Sequence, residues 1–299
     1  DNHEMLLLDN GHALLIAEDD RRIDMSKLVS GGNTNANVVG NHIQEVDSEG
    51  NVFWEWRSWD HLHVLDVDNI NLKGGHIDYV HLNSIAIDYD GHYVLSLRNM
   101  SEMCKINSQT GEFIWRLGGV NNQFDSDEEQ LLSHQHCAKP VPGEPDSYTI
   151  YDNGNTRSPR FTRAVEFKLD VKNKTAENVW QYRYDKANFQ SMMGGAQRLP
   201  NGNTYIDWSA WPPLRGCEVD AENNLVFEIE AQGVSSYRSY RFEWEGEMLT
   251  PYLLAENTYE GARLIFNKFG DTDVSHYIVY GGTSRNSLAP MDTTSNTYA

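Results

Sequence analysis

Along most of this chain, apolar and polar residues alternate in short bursts, and the bursts come in pairs joined by tight-turn residues. The first pair is Glu4-Met5-Leu6-Leu7-Leu8 and Ala13-Leu14-Leu15-Ile16-Ala17, connected through Asp9-Asn10-Gly11. That pattern predicts a β-hairpin, because period-two alternation presents one face of a strand to a core and Asn-Gly fits the tight turn. It returns at Ser84-Ile85-Ala86-Ile87-Asp88 with Tyr93-Val94-Leu95-Ser96-Leu97, around Pro142-Gly143 before Tyr148-Thr149-Ile150-Tyr151, and at Ala196-Gln197-Arg198-Leu199 with Thr204-Tyr205-Ile206-Asp207-Trp208.

A second hairpin follows each of these. Its outer strand carries an aromatic residue: Trp54 and Trp56, Trp115, Trp180 and Phe227. Helical spacing of apolar residues is sparse, so the fold class is all-β. Four strands per unit, repeated about every 45 to 65 residues, is the signature of a β-propeller blade. Four to five blades are legible, and the propeller is expected to be incomplete. Long inserts, Asp19 to Gly40 and Trp59 to Tyr79, are expected to roof the channel.

After Glu230 the rhythm stops. From Gly261 onward, Ala262-Arg263-Leu264-Ile265-Phe266 and Ser275-His276-Tyr277-Ile278-Val279-Tyr280 resemble the first strands of a fibronectin type III β-sandwich. The tail ends short of the roughly 90 to 100 residues such a sandwich needs. The expected division is a propeller over residues 1–250 and a partial module over 255–299, the first lacking part of its start and the second its end.

Charge narrows the partners. The chain has 299 residues with 24 Lys and Arg against 44 Asp and Glu, a formal charge of −20. Such a surface repels phosphate backbones and anionic headgroups, which argues against nucleic acid and membrane surfaces. No stretch approaches the roughly 20 apolar residues of a membrane span, and Asp1-Asn2-His3-Glu4 carries no signal peptide. Cys104, Cys137 and Cys217 are too scattered for a disulfide framework, and allow three thiols or one disulfide and a thiol.

In a propeller the first strand of each blade lines the central channel, so chemistry belongs just before each repeated hairpin. His3 precedes the first, His81 the second and His136 the third. Separate in sequence but equivalent in position, they are expected to converge. Arg157, after Tyr151-Asp152-Asn153-Gly154-Asn155-Thr156, is placed to join them, and arginine beside histidine makes an anion pocket. A metal centre on His81, His134 and His136 lacks a carboxylate at diagnostic spacing, so no metal is expected. Nucleophile elbows, P-loops and dinucleotide fingerprints are absent, and no cofactor is expected. Trp59, Trp208 and Trp211 are candidates for stacking on a ring, or for packing between blades.

Several segments, taken in order, resemble the arylsulfotransferase family of arylsulfate-dependent sulfotransferases. They are His81-Leu82-Asn83-Ser84, Ser96-Leu97-Arg98-Asn99, the run Lys105 to Gly119, Gln135-His136, Asp152-Asn153-Gly154-Asn155 and Arg163-Ala164-Val165-Glu166-Phe167. The resemblance spans residues 1 to about 244. It implies a six-bladed propeller in which a channel histidine takes a sulfuryl group from a phenolic sulfate ester and passes it to an acceptor phenol, without nucleotide. It implies catalytic roles for His81, His136, Arg157 and His3, and substrate contacts for Asn83, Gln135 and Trp208. The detail is closest to secreted bacterial versions, implying a secreted, cell-surface or periplasmic location. The family's nucleophilic histidine lies in a later blade, whereas this chain has no histidine between His136 and His276, which leaves the role to His3, His81 or His136. A non-catalytic binding or structural propeller is the alternative.

Overall fold

The structure is a computed structural model describing residues 3–128, 130–185, 189–208, 213–246, 253–259, 261–266 and 274–299. The chain divides into two compact units, Asp1–Arg241 and Phe242–Ala299.

The first unit is a series of antiparallel four-stranded meanders in chain order. Strands β1 (Met5–Leu7), β2 (Ala13–Ile23), β3 (Ala36–Val46) and β4 (Val52–Arg57) form the first sheet, and helix α1 (Ser58–His61) and strand β5 (His76–Asp78) follow. The second sheet is β6 (Leu82–Ile87), β7 (Tyr93–Leu97), β8 (Glu102–Ile106) and β9 (Phe113–Gly118). The third is β10 (His136–Val141), β11 (Glu144–Asp152), β12 (Arg163–Asp170) and β13 (Thr175–Tyr182). The fourth is β14 (Gly195–Arg198), β15 (Thr204–Asp207), β16 (Leu214–Val219) and β17 (Leu225–Ala231). All eight hairpins read from the sequence pattern are present. Among the described residues there are four such sheets, and no fifth.

The apolar cores lie between sheets. Leu14, Ile16 and Ile43 of the first sheet share a cluster with Leu95, Cys104 and Ile106 of the second. Met103 and Trp115 meet Tyr148, Ile150 and Phe167 across the next junction, and Tyr151 and Ala164 meet Ile206 and Cys217 across the last. The outer aromatics bind each sheet to the one after it. Trp56 donates its indole N–H to Gly111 O at 3.1 Å, Trp115 packs edge-on to Tyr148, and Trp180 lies under the Arg198 guanidinium. Gly111 has a φ of 76°, and a Cβ there would stand 2.9 Å from the Trp56 ring, so both conformation and space require glycine. The three cysteines are buried free thiols.

Both inserts contain paired strand. The first is strand at both ends: β2 and β3 stay paired from Ala13↔Val46 out to Ile23↔Ala36, so the hairpin arm runs well into the stretch expected to be loop. The second lays β5 parallel to that arm, pairing Asn37 with His76, Val38 with Ile77 and Val39 with Asp78.

In the second unit, β18 (Leu254–Thr258) pairs with β19 (Gly261–Ile265), and β20 (Tyr277–Gly281) pairs with β21 (Ala289–Thr294). These are two separate two-stranded sheets; the described residues of the tail form no fibronectin type III sandwich. None of the apolar residues that suggested one is fully buried, and Ile278 and Tyr280 are exposed. No helix among the described residues is long and apolar enough to cross a membrane.

Candidate functional site

His81 is set by its own insert. Strand β5 delivers Asp78, whose Oδ1 accepts the His81 backbone N–H at 3.0 Å and whose Oδ2 lies 2.6 Å from His81 Nδ1. The chain turns here through a left-handed His81, φ 50°, and the Arg98 N–H closes on His81 O at 3.1 Å. The carboxylate holds the proton on Nδ1 and leaves Nε2 as the lone-pair nitrogen, with no hydrogen bond among the described residues. The ring is 29% exposed.

Two further imidazoles meet it edge-on. The His3 ring centroid lies 4.9 Å from that of His81, and the His136 centroid 6.3 Å. His3 also packs edge-on to Tyr237 at 5.6 Å. Burial lowers the pKa of His3 and outweighs the opposing pull of Asp78. His136 is buried and has both nitrogens engaged: Nδ1 faces Asn153 Oδ1 at 2.7 Å, and Nε2 accepts the Met193 N–H at 3.2 Å. The Asn153 amide donates to Gln190 O and Met193 O, which turns its oxygen to the ring and fixes the proton on His136 Nδ1. Burial drives the His136 pKa well below 6.5, against the raising effect of Asn153, so this imidazole is neutral.

His3, His81, His136 and Met193 hold equivalent positions at the entrances to β1, β6, β10 and β14. The fourth module therefore has no imidazole at this position, and its Met193 backbone N–H reaches His136 Nε2.

Arg157 is engaged with a buried carboxylate and backbone carbonyls. Its Nη1 lies 2.6 Å from Asp152 Oδ2 and its Nη2 donates to Gln130 O at 2.9 Å. Asp152 is fully buried and shared with Arg163, which also grips Glu128. The charges of two other cations act on the buried histidines. Arg98 begins the turn after β7 and donates to Asn99 Oδ1 at 2.6 Å and Ser191 O at 3.2 Å. Arg238 donates to Glu4 Oε2 at 2.8 Å and Asn83 O at 3.0 Å.

The remaining expected contacts are largely committed to structure. Asn83 donates to Gln135 O at 2.8 Å, and its own carbonyl receives Arg238. The Gln135 amide reaches Ser96 Oγ, Leu97 O and Glu102 O, which binds the third module to the second. Trp208 is buried against Tyr151, Tyr182 and Tyr184 and donates to Cys217 Sγ at 3.1 Å. Trp59 packs at a tilt against Tyr79 and donates to Asp19 O; Trp211 lies outside the described residues. His134 places Nε2 on Asp68 O at 2.9 Å, and among the described residues no three His, Cys, Asp or Glu side chains are grouped to hold a metal. Sequence reasoning missed Asp78, although it stands three residues before His81 in Asp78-Tyr79-Val80-His81, and it gave no role to Asn153 or Arg98.

The buried histidines set a pH dependence. The His136 pKa is depressed in the folded state, so the unfolded chain takes up the proton first as pH falls below about 6.5. The resulting stability is full above that pH and is lost below it, at up to about 1.4 kcal/mol per pH unit for this group. Urea unfolding at pH 7.5, 6.5 and 5.5 should show stability falling with acid, and His136→Gln should flatten the slope. An equal slope in the variant would show that His136 is not the titrating group.

Comparison with solved structures gives distant likenesses only. A protein of unknown function from Bacteroides caccae is 14% identical at a TM-score of 0.41, the match covering 76% of this chain and 65% of that one. A protein from Lactobacillus plantarum is 10% identical at 0.40, covering 85% and 64%. The periplasmic gluconolactonase PpgL of Pseudomonas aeruginosa is 8% identical at 0.42, covering 77% and 70%. The chain thus spans a little under two thirds of the first two. No curated protein matches the sequence. The profile of the family described as Arylsulfotransferase (ASST) matches residues 2–248, the whole run of four sheets that carries the histidines. The chain belongs to the arylsulfotransferase family.

Proposed function

We propose that the protein moves a sulfuryl group from an aryl sulfate ester to an acceptor phenol by way of His81, and that its four sheets are blades of a propeller whose first strands line the site. The observation that carries this reading is the His81–Asp78 pair: one ring nitrogen is held by a carboxylate, and the other is unpartnered and within reach of solvent. Nε2 attacks sulfur, the N–S bond forms and the S–O bond to the aryl group breaks, and the phenolate departs. The sulfo-imidazolium that results is cationic, and Asp78 stabilises it through Nδ1–H. The acceptor phenol then attacks sulfur and the N–S bond breaks. His3, kept neutral by burial, is suited to take the acceptor's proton. His136, with both nitrogens engaged, is a positioning residue that holds the Gln190 to Met193 backbone beside the site. A secreted, surface or periplasmic location belongs to the same proposal.

Mixing the protein with 4-nitrophenyl sulfate and phenol, without nucleotide, should release nitrophenol and yield phenyl sulfate with ping-pong kinetics. Absence of nitrophenol at every pH between about 6 and 9 would refute the proposal. The replacement of a fourth imidazole by Met193 favours a second reading, an anion-binding protein without turnover; bound aryl sulfate recovered intact would establish it.

A further inference from the structure

One or two residues beyond each of His3, His81, His136 and Met193, all four modules reach the same side chain, Arg238. Its Nη1 donates to Glu4 Oε2 at 2.8 Å, next to His3, and its Nη2 to Asn83 O at 3.0 Å, two residues past His81. In the third and fourth modules the neighbours are Cys137 and Gly195. A Cβ on Gly195 would stand 3.1 Å from Arg238 Cγ and 3.2 Å from Cys137 Sγ, so the glycine leaves room for both. The Arg238 side chain is 5% exposed, and Glu4, its counter-charge, is shared with Lys139 at 2.8 Å.

Residues 237–241 bear on the fourth module as β14 bears on the third. At the third, Arg198 lies over Trp180 and pairs with Glu166, which stands opposite Trp180 in the sheet. At the fourth, Arg241 lies over Phe227 and pairs with Glu218, which stands opposite Phe227. Tyr237 O accepts the Gly194 N–H at 3.0 Å, the Arg241 N–H donates to Gln197 Oε1 at 2.8 Å, and Ser239 Oγ lies 3.0 Å from Tyr205 Oη. From this anchored segment two consecutive residues meet two consecutive residues: the Tyr237 ring stands edge-on to His3 at 5.6 Å, and Arg238 pairs with Glu4. His3 stands ahead of β1, outside the strand, and these contacts hold it against the His81 ring.

We propose that Tyr237 and Arg238 clamp His3 for the acceptor step, Arg238 as a positioning residue acting through Glu4 and Tyr237 through its ring edge. The inference rests on the sulfuryl-transfer reading, in which the acceptor phenol gives its proton to His3 as its oxygen takes sulfur from His81 Nε2. A buried ion pair adds little stability, because desolvation offsets the attraction, but it fixes one geometry. A proton acceptor misplaced by about 1 Å costs up to about 100-fold in rate. Attack of His81 on the ester relies on Asp78 and not on His3, so loss of the clamp separates the two half-reactions. The guanidinium also opposes protonation of His3: its field adds to burial in lowering that pKa, against Asp78 and Glu18, while His81 and Tyr237 pack on the ring.

Wild type, Arg238→Gln, Arg238→Lys and the exposed-site control Arg22→Gln are mixed with 4-nitrophenyl sulfate, first without phenol and then with it. Without phenol, all four should give a stoichiometric burst of nitrophenol at similar rates. With phenol, Arg238→Gln should lose about 10- to 100-fold in kcat/KM for the acceptor, and the control nothing. Arg238→Lys keeps a cation on Glu4 but loses the bridge to Asn83. It should show the same selective loss at about 3- to 10-fold, and decides the matter where the glutamine variant does not fold. The His3 ring proton, assigned by its loss in His3→Gln and followed by NMR against pH, should titrate at higher pH in Arg238→Gln than in wild type or control. That shift, in a wild type releasing no nitrophenol, upholds the clamp on His3 and refutes transfer. Equal loss in both half-reactions, or acceptor kinetics and His3 titration unchanged in a folded variant, overturns the inference and leaves transfer standing.

Discussion

His81→Ala is expected to reduce nitrophenol release by at least about 10³-fold and to abolish any sulfuryl-protein adduct, because it removes the atom that becomes bonded to sulfur. The substitution is surface-accessible enough to spare the fold, since the ring is 29% exposed and lies outside the three apolar cores. Quenching wild-type enzyme during turnover should give a protein heavier by one sulfuryl group, with the label on the peptide containing His81. Asp78→Asn should retain the adduct site but slow its formation strongly, because an amide can turn its NH2 toward Nδ1 and favour the tautomer with the lone pair on the wrong nitrogen. His136→Gln should be milder, acting through the Met193 segment. An adduct on His3 or His136, or an active His81→Ala, would transfer the nucleophilic role elsewhere in the cluster.

The sequence pattern was sufficient for the strands because their pairing is local. Three of the modules open on a hairpin closed by its own Asn-Gly or Asp-Gly turn, and Gly11, Gly91 and Gly202 all take the left-handed conformation that those turns require. The convergence of His3, His81 and His136 followed from the same regularity, since equivalent positions of successive modules face the same way. What the pattern did not reveal depends on pairing between distant segments. Asp78 reaches His81 because β5 pairs in parallel with an arm of β3 some forty residues earlier, and nothing in the spacing of the insert distinguishes that strand from a loop. Arg157 has the expected position in the chain, but the buried Asp152 five residues before it takes its charge. Ion pairing of this kind is decided by which carboxylate is buried within reach, a property no residue count carries.

That burial also marks where the fold is most easily broken. Lys105→Met is expected to destabilise the first unit by about 3 to 5 kcal/mol, because it strands a buried carboxylate. Lys105 Nζ lies 2.6 Å from Asp88 Oδ2 and 2.7 Å from Asp90 Oδ2, with Lys105 and Asp88 both almost fully buried. Tyr148 of the third sheet donates to the same Asp88 oxygen at 2.6 Å, so one carboxylate links two modules across their core. Burial alone would lower the lysine's pKa, but the two carboxylates outweigh it and hold the ammonium above its ordinary value. Once the ammonium is gone, Asp88 retains Tyr148 and one backbone N–H but no counter-charge, and the cheapest relief is to bind a proton. The variant should therefore regain stability on acidification toward pH 5 relative to the wild type, since a carboxyl with a raised folded pKa stabilises below that pKa and loses the effect as pH rises through it. Melting temperature at neutral pH should fall by roughly 10 °C. Lys105→Met combined with Asp88→Asn should cost less than the sum of the single changes, since the amide removes the stranded charge and still accepts from Tyr148. A loss below about 1 kcal/mol for Lys105→Met would mean that water reaches Asp88, and that the link between the second and third sheets rests on the packing of Trp115 against Tyr148 instead.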